Sequence, residues 1–242
     1  MIIAVIRSVA TYLAVSVYVL FAASFGMLLE TIFRWKGILY ILGHGGVRLG
    51  LATAGIKVRV AGANHIPLGR AAVYCANHQS NVDPPILFTA LHPRMHIVYK
   101  AEINAIPLLA RAFQHGGFVP IERRNKEAAM RSLEAGARSI RDGNSFLIFP
   151  EGTRSQTGAM LPFKKGGFLM ALKAQAPIVP VAISGGRDAM QRGSRIIRPV
   201  TVSIRVGAPI DTAGMQMTDR DALIATVRAR IEALLAEGPV VD

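Results

Sequence analysis

The apolar positions of the chain are concentrated in its first sixty residues. Residues 9–29 form a run of 21 residues without a charged side chain, and a helix of that length is roughly 30 Å long, about the hydrocarbon thickness of a bilayer. An Arg-Trp-Lys string at 34–36 follows, and such side chains are typical of the membrane–water interface. With the weakly amphipathic stretch 38–56, this predicts a membrane-attached helical segment over residues 1–56, spanning the bilayer or lying in its interface. A buried helix pair or a cleaved signal peptide are the alternatives.

From residue 57 onward, short β-rich runs alternate with segments of helical periodicity. The predicted strands are residues 57–60, 71–76, 95–99, 118–121, 145–149, 178–183 and 200–206, and the predicted helices are residues 107–114, 125–142 and 218–235. The last strand alternates like an edge strand, and Thr218 is expected to be the N-cap of the last helix. Together these elements predict an α/β fold over residues 57–242, with a mixed, largely parallel sheet covered by helices.

Composition and charge narrow the class of protein. The chain is 51% apolar, which rules out a disordered protein, and its single cysteine, Cys75, excludes an internal disulfide framework and fits a reducing compartment. The net charge of +13 favours an anionic partner, either nucleic acid, an anionic lipid surface or a phosphorylated substrate. A basic nucleic-acid-binding protein is therefore an alternative, but no helix carries a basic stripe interleaved with aromatics, and we expect no nucleic-acid partner.

A first cluster of reactive side chains directly follows the predicted strand 71–76, where open α/β sheets place their ligands. It contains His78 and, five residues later, Asp83. A carboxylate held against one imidazole nitrogen fixes the tautomer and raises the basicity of the ring, so that the other nitrogen can take a hydroxyl proton. The alternative is a structural turn in which Asp83 only caps a helix.

Two further polar clusters also lie at predicted strand ends. Residues 149–155 read Phe-Pro-Glu-Gly-Thr-Arg-Ser, and a rigid turn that presents Arg154 could hold an oxyanion or a phosphate. Residues 117–124 end in a Glu-Arg-Arg string that offers Arg123 at another strand end. The alternatives are a charged surface turn and a solvated charge run.

Other catalytic constellations lack a required residue. No Gly-x-Ser-x-Gly string occurs, so a covalent acyl-serine mechanism has no obvious nucleophile. His92 and His96 have the spacing of helical metal ligands, but Pro93 and the missing glutamate argue against a zinc site. Cys75 lies in an apolar predicted strand, where we expect it to be buried as a small hydrophobic residue.

Taken in chain order, the clusters carry a family resemblance. Four segments closely resemble the four motifs of the glycerolipid acyltransferases. They are the Asn-His segment at 77–84, the Gly-to-Arg string at 117–124, the 149–155 string and Val-Pro-Val-Ala-Ile at 179–183. The resemblance is specifically to the bacterial 1-acyl-glycerol-3-phosphate (lysophosphatidate) acyltransferases, and it covers about residues 57–210. The apolar N-terminal segment also fits that family.

The resemblance implies roles for particular residues. It implies that His78 is the general base, that Asp83 orients it, and that Arg123 binds phosphate. Arg123 belongs to the second motif. The third motif supplies the other implied substrate-binding residues, which are Glu151, Gly152, Thr153 and Arg154. Further possible site residues are Asn77, Ser80, Lys100 and Glu102, the last two forming a Lys-x-Glu element.

The resemblance also implies a reaction. A fatty acyl group would pass directly from acyl-CoA or acyl carrier protein to the sn-2 hydroxyl of 1-acyl-glycerol-3-phosphate, forming phosphatidate. Another lyso-lipid, such as lyso-ornithine lipid, or glycerol 3-phosphate is the alternative acceptor. No metal or redox cofactor is implied, because thioester and hydroxyl already supply electrophile and nucleophile. We expect membrane lipids as partners, and an inner-membrane location with the catalytic domain facing the cytoplasm.

Overall fold

Strands and helices alternate along the chain after residue 57 in the computed structural model, which describes residues 2–35, 37–121 and 126–241. The strands are β1 (Lys57–Ala61), β2 (Val73–Ala76), β3 (Met95–Lys100), β4 (Val119–Ile121), β5 (Ser145–Ile148), β6 (Ile178–Ser184) and β7 (Thr201–Val206). The helices are α1 (Ile2–Phe33), α2 (Gly37–Ala54), α3 (Asp83–Ala90), α4 (Pro107–His115), α5 (Lys126–Arg141), α6 (Gly166–Ala174), α7 (Gly186–Ala189) and α8 (Arg220–Ala236).

The strands of the described residues form one sheet in the order β1-β7-β6-β2-β5-β3-β4. Neighbouring strands are parallel except for β6 and β7, which are antiparallel. This confirms the predicted α/β fold with a mixed, largely parallel sheet. Because β2, β5 and β3 are adjacent and parallel, the loops that follow them leave the same edge of the sheet.

Helices cover the sheet on both faces, which explains why β2 is apolar throughout. Its Tyr74 and Ala76 pack in one core with residues of α2 and α3, including Ala54 and Leu87. The alternate residues Val73 and Cys75 pack in a second core with residues of α5, α6 and α8. A parallel strand buried on both faces is apolar at every position, and β2 thereby provides a rigid base for the loop that follows it.

The N-terminal helix α1 is long and apolar enough to cross a membrane, the one such helix in the described part of the chain. Its most apolar window has a mean hydropathy of 2.0, and only 11% of that window is buried, unlike the core helix of a soluble protein. The helix therefore indicates membrane association. It is also attached to the α/β fold, because Tyr12 donates its hydroxyl to the carbonyl of Arg195 at 2.9 Å and Ser8 Oγ accepts the N–H of Ile197 at 2.8 Å.

Two local predictions were wrong. Strand β7 is not an edge strand, since it lies between β1 and β6. The alternation that suggested an edge has another cause, because Ser203 is buried and its Oγ accepts the N–H of Val240 at 3.1 Å. Thr218 is not the N-cap of α8, because residues Met217–Asp219 form a 3-10 turn closed by reciprocal Gln216 and Asp219 hydrogen bonds.

Candidate active site

The loop between β2 and α3 brings His78 and Asp83 together. Asp83 Oδ2 accepts three hydrogen bonds, from His78 Nδ1 at 3.0 Å and from the N–H groups of Gln79 at 2.7 Å and Ser80 at 2.6 Å. The Asp83 side chain is fully buried, whereas the His78 side chain is 15% exposed. Because Nδ1 donates to the carboxylate, Nε2 is the imidazole nitrogen available to a ligand.

The Asp83 side chain does not cap α3, as the structural alternative for this pair assumed. Residue Val82 occupies the N-cap position of α3 and makes no side-chain cap. The Asp83 carboxylate instead turns back to the loop at residues 78–80. A carboxylate that orients an imidazole is the arrangement that a histidine base requires.

The loop that follows β5 holds His78 from the opposite side. The ring of Phe149 stacks on the imidazole, with 4.1 Å between ring centroids, and the His78 carbonyl accepts the Ser155 N–H at 2.9 Å. The His78 N–H donates to Glu151 Oε1 at 2.7 Å. Ring and backbone of the histidine are therefore both fixed by neighbours.

Both carboxylate oxygens of Glu151 are engaged by backbone groups. Oε1 accepts the N–H of His78, and Oε2 accepts the N–H of Leu161 at 2.8 Å. Burial raises the pKa of the Glu151 carboxyl above its ordinary value, and the two backbone hydrogen bonds act in the opposite direction. The side chain is only 2% exposed, so it braces the loop from inside and does not point to a ligand.

Two other predicted site residues also face the protein interior. The side-chain amide of Asn77 pairs with the backbone of Ile183 on β6, at 2.8 and 2.9 Å. The Ser80 hydroxyl donates to the carbonyl of Met190 at 2.7 Å. These bonds join the loop after β2 to β6 and to the segment that follows it.

The exposed face of His78 opens into a cavity of about 1020 Å³ between the N-terminal helices and the sheet edge. Its apolar lining includes Tyr18, Val19, Leu39, Phe88, Phe118 and Met170. Gly152, Thr153 and Arg154 also line it, as does Lys100 at the end of β3, whereas Glu102 does not. The cavity thus combines a largely apolar lining with cationic residues and one imidazole.

Sequence reasoning missed two cations that line this cavity, Lys164 and Arg192. The Lys164 side chain lies over Gly152, where an added Cβ would be 2.9 Å from Lys164 Cδ and the backbone φ is +69°. The Arg192 Nη1 donates to the carbonyl of Arg154 at 3.0 Å. The Lys-Lys pair at 164–165 is the one sequence signal that points to Lys164. No motif or spacing in the sequence points to Arg192.

The predicted Arg123 lies in residues 122–125, outside the described residues. The strand before it, β4, ends at Ile121, which lines the cavity. Cys75 is fully buried, and burial raises the pKa of its thiol. A thiol of this kind is chemically inert rather than a nucleophile.

Gly186, at the start of α7, packs against the buried side of Asp83. The second carboxylate oxygen, Oδ1, is buried and has no hydrogen-bond partner among the described residues. A Cβ added at Gly186 would lie 2.2 Å from this oxygen, so only glycine leaves Asp83 in its position.

We therefore expect Gly186→Ala to lower kcat for the acyl transfer that the family resemblance implies roughly 10²-fold, the cost of misplacing a catalytic group by about 1 Å. The KM values for both substrates should change little, because Asp83 does not reach the cavity. Steady-state kinetics check this, with Gly69→Ala as the control, since its Cβ would meet nothing within 4 Å. Equal kcat values for the two variants would contradict the positioning role.

Comparison with known proteins places this geometry in a family. Residues 57–184 match the acyltransferase family model. A 1-acyl-sn-glycerol-3-phosphate acyltransferase of Limnanthes douglasii is 31% identical over 206 residues, which are 83% of this chain and 73% of that protein. The human 1-acyl-sn-glycerol-3-phosphate acyltransferase alpha is 33% identical over 175 residues, or 72% of this chain and 62% of that protein.

The fold has a counterpart among solved structures. The crystal structure of the 1-acyl-sn-glycerophosphate acyltransferase of Thermotoga maritima superposes with a TM-score of 0.84 at 24% identity, covering 98% of this chain and 97% of that one. The two proteins therefore share one fold over nearly their whole lengths. The chain belongs to the lysophosphatidate acyltransferase family.

Proposed function

We propose that the chain is a 1-acylglycerol-3-phosphate O-acyltransferase, which transfers a fatty acyl group from a thioester to the sn-2 hydroxyl of 1-acyl-glycerol-3-phosphate and forms phosphatidate. The observation that carries this proposal is the His78–Asp83 pair, whose histidine lines a cavity that has both apolar and cationic lining residues. Such a cavity suits a molecule with an acyl chain and a phosphate. Relatives of the same name support the assignment.

In the proposed mechanism, His78 Nε2 takes the proton of the acceptor hydroxyl as its oxygen attacks the thioester carbonyl. The buried Asp83 carboxylate stabilises the imidazolium that forms. Collapse of the tetrahedral intermediate breaks the carbon–sulfur bond, and the departing thiolate receives the proton from His78. The products are phosphatidate and a free thiol, and no acyl-enzyme is formed.

The cations at the cavity supply phosphate binding in this proposal. Arg154, together with Arg123, holds the acceptor phosphate, and Gly152 and Thr153 shape the turn beside it. Lys100 and Lys164 reach the same cavity and add positive charge. Glu151 takes a different role from a substrate ligand, since its hydrogen bond to the His78 N–H makes it a positioning residue.

The membrane setting completes the proposal. Residues 1–56 attach the chain to the inner membrane, and the α/β domain over residues 57–242 faces the cytoplasm, where acyl-CoA or acyl carrier protein supplies the thioester. Membrane lipids surround α1, whose exposed side chains are predominantly apolar.

An acceptor panel tests the proposed substrate. Purified protein is given an acyl thioester with lysophosphatidate, glycerol 3-phosphate or lyso-ornithine lipid, and free thiol is measured. We expect the highest kcat/KM with lysophosphatidate, because it offers both an acyl chain and a phosphate. A higher kcat/KM with lyso-ornithine lipid would support acyl transfer but contradict lysophosphatidate as the acceptor.

Arg154→Ala should raise the KM for lysophosphatidate more than the KM for the thioester. The expected factor is roughly 10- to 150-fold, for a lost charge-assisted hydrogen bond of about 1.5–3 kcal/mol. Arg154→Lys should recover only part of the lost affinity for lysophosphatidate, because an ammonium group does not make the paired hydrogen bonds of a planar guanidinium. KM values at saturating co-substrate are compared with those of Arg138→Ala, an exposed arginine on α5. A rise in the KM for the thioester alone would assign Arg154 to the binding site of the acyl donor.

A further inference from the structure

A cluster of arginines lies on the segment between β6 and β7, outside the family motifs. This segment, residues 187–198, is called the arginine loop below and contains Arg187, Arg192, Arg195 and Arg198 with one acidic residue, Asp188. All four arginine side chains are exposed. None of them forms a salt bridge with a described residue. Arg187 and Arg192 each donate a hydrogen bond to a backbone carbonyl, which leaves their positive charge unneutralised, and the Arg195 and Arg198 side chains are the ones chosen for the test.

The arginine loop packs directly against the membrane-associated helix α1. The Tyr12 hydroxyl donates to the carbonyl of Arg195 at 2.9 Å, and the Ile197 N–H donates to Ser8 Oγ at 2.8 Å. The same part of α1 exposes apolar side chains, with Val9 52% and Leu13 63% accessible. Where these side chains enter lipid, the neighbouring guanidinium groups lie at headgroup level, since long cationic side chains extend to the interface.

The arginine loop also borders the catalytic cavity. A smaller cavity of about 540 Å³ is lined in part by Arg195. It shares Tyr12, Asn81, Val82 and Ile197 with the cavity that contains His78. The cavity beside the arginine loop is therefore a neighbour of the catalytic cavity, and these four residues line both.

From this juxtaposition we propose that the arginine loop binds the phosphate groups of anionic phospholipids in the bilayer and forms the lipid-facing mouth of the catalytic cavity. Guanidinium groups bind phosphate through paired hydrogen bonds, and the anionic surface of a cytoplasmic leaflet attracts basic segments beside a membrane helix. The binding is independent of catalysis, so it goes beyond the proposed function and is tested without turnover.

The experiment compares partition onto two kinds of vesicle. The purified full chain and the double variant Arg195→Gln/Arg198→Gln are floated with vesicles of phosphatidylcholine alone or of phosphatidylcholine and phosphatidylglycerol at about seven to three. Neither substituted side chain makes a salt bridge with a described residue, so folding should persist, and circular dichroism verifies it. The control is Arg138→Gln/Arg230→Gln, which removes the same charge from the exposed surfaces of α5 and α8.

We expect the preference for anionic over neutral vesicles to fall about 30-fold in the double variant, the equivalent of about 1 kcal/mol for each arginine. The control should keep the wild-type preference, and about 1 M salt should remove the difference. Equal preference in the two double variants would overturn the proposal. So would an unchanged vesicle preference with a raised thioester KM, which would assign the loop to the acyl donor instead.

Discussion

His78→Ala should lower the rate of phosphatidate formation by about 10²- to 10⁴-fold, the usual cost of removing a general base. The substitution removes the imidazole that is stacked on Phe149 and bonded to Asp83. Substrate binding should persist, because the cations and the apolar wall of the cavity remain. The effect is therefore expected in kcat, measured by phosphatidate formation under saturating substrates.

His92→Ala is the matched control, since it removes the same type of side chain from the turn after α3. There the His92 ring forms hydrogen bonds with the backbone of Arg94 and lies 6.4 Å from the ring of Tyr74, outside the catalytic cavity. It should keep near-normal kcat. A folded His78→Ala protein with the turnover of this control would show that another group takes the hydroxyl proton.

The second large effect is expected for Asp83→Asn, with a loss of kcat of about 10²- to 10⁴-fold. Asparagine removes the charge that stabilises the imidazolium. It can still accept the Gln79 and Ser80 N–H groups through its oxygen, but its NH₂ group then lies in the buried space beside Gly186, where Oδ1 has no partner among the described residues. Leaving these amide protons buried without an acceptor costs about 1–3 kcal/mol, so the midpoint of thermal unfolding should also fall.

Asp142→Asn makes the same chemical change on an exposed side chain at the end of α5. It should alter neither kcat nor the unfolding midpoint. If Asp83→Asn behaved like this control, the carboxylate would be a loop brace and not the partner of the catalytic histidine.

Much of the fold could be predicted because β-rich and helical periods alternate clearly after residue 57. The sheet order could not, since β2 and β5 pair across about seventy residues of chain and no local pattern encodes such a pairing. Once parallel strands are adjacent, their polar ends meet. That is why His78 and Arg154, far apart in sequence, line the same cavity.

The environment of individual side chains could not be predicted from the sequence. Glu151 and Arg154 stand three residues apart in one motif, yet the Glu151 carboxylate is buried on backbone N–H groups, whereas Arg154 lines the cavity. Gly186 and Arg192 carry no spacing signal, because their relation to Asp83 and Arg154 exists only after β6 has paired with β2. Non-local contacts decided these roles.

The central claim is direct acyl transfer to lysophosphatidate by His78, and one product balance tests it most directly. Purified protein is incubated with an acyl-labelled thioester and lysophosphatidate, and free thiol and labelled phosphatidate are quantified together. We expect one phosphatidate for each thiol released by the wild-type chain, no labelled protein, and formation of both products at least about 10²-fold slower with His78→Ala. Thiol release without phosphatidate, or equal phosphatidate formation by the two proteins, would contradict the account.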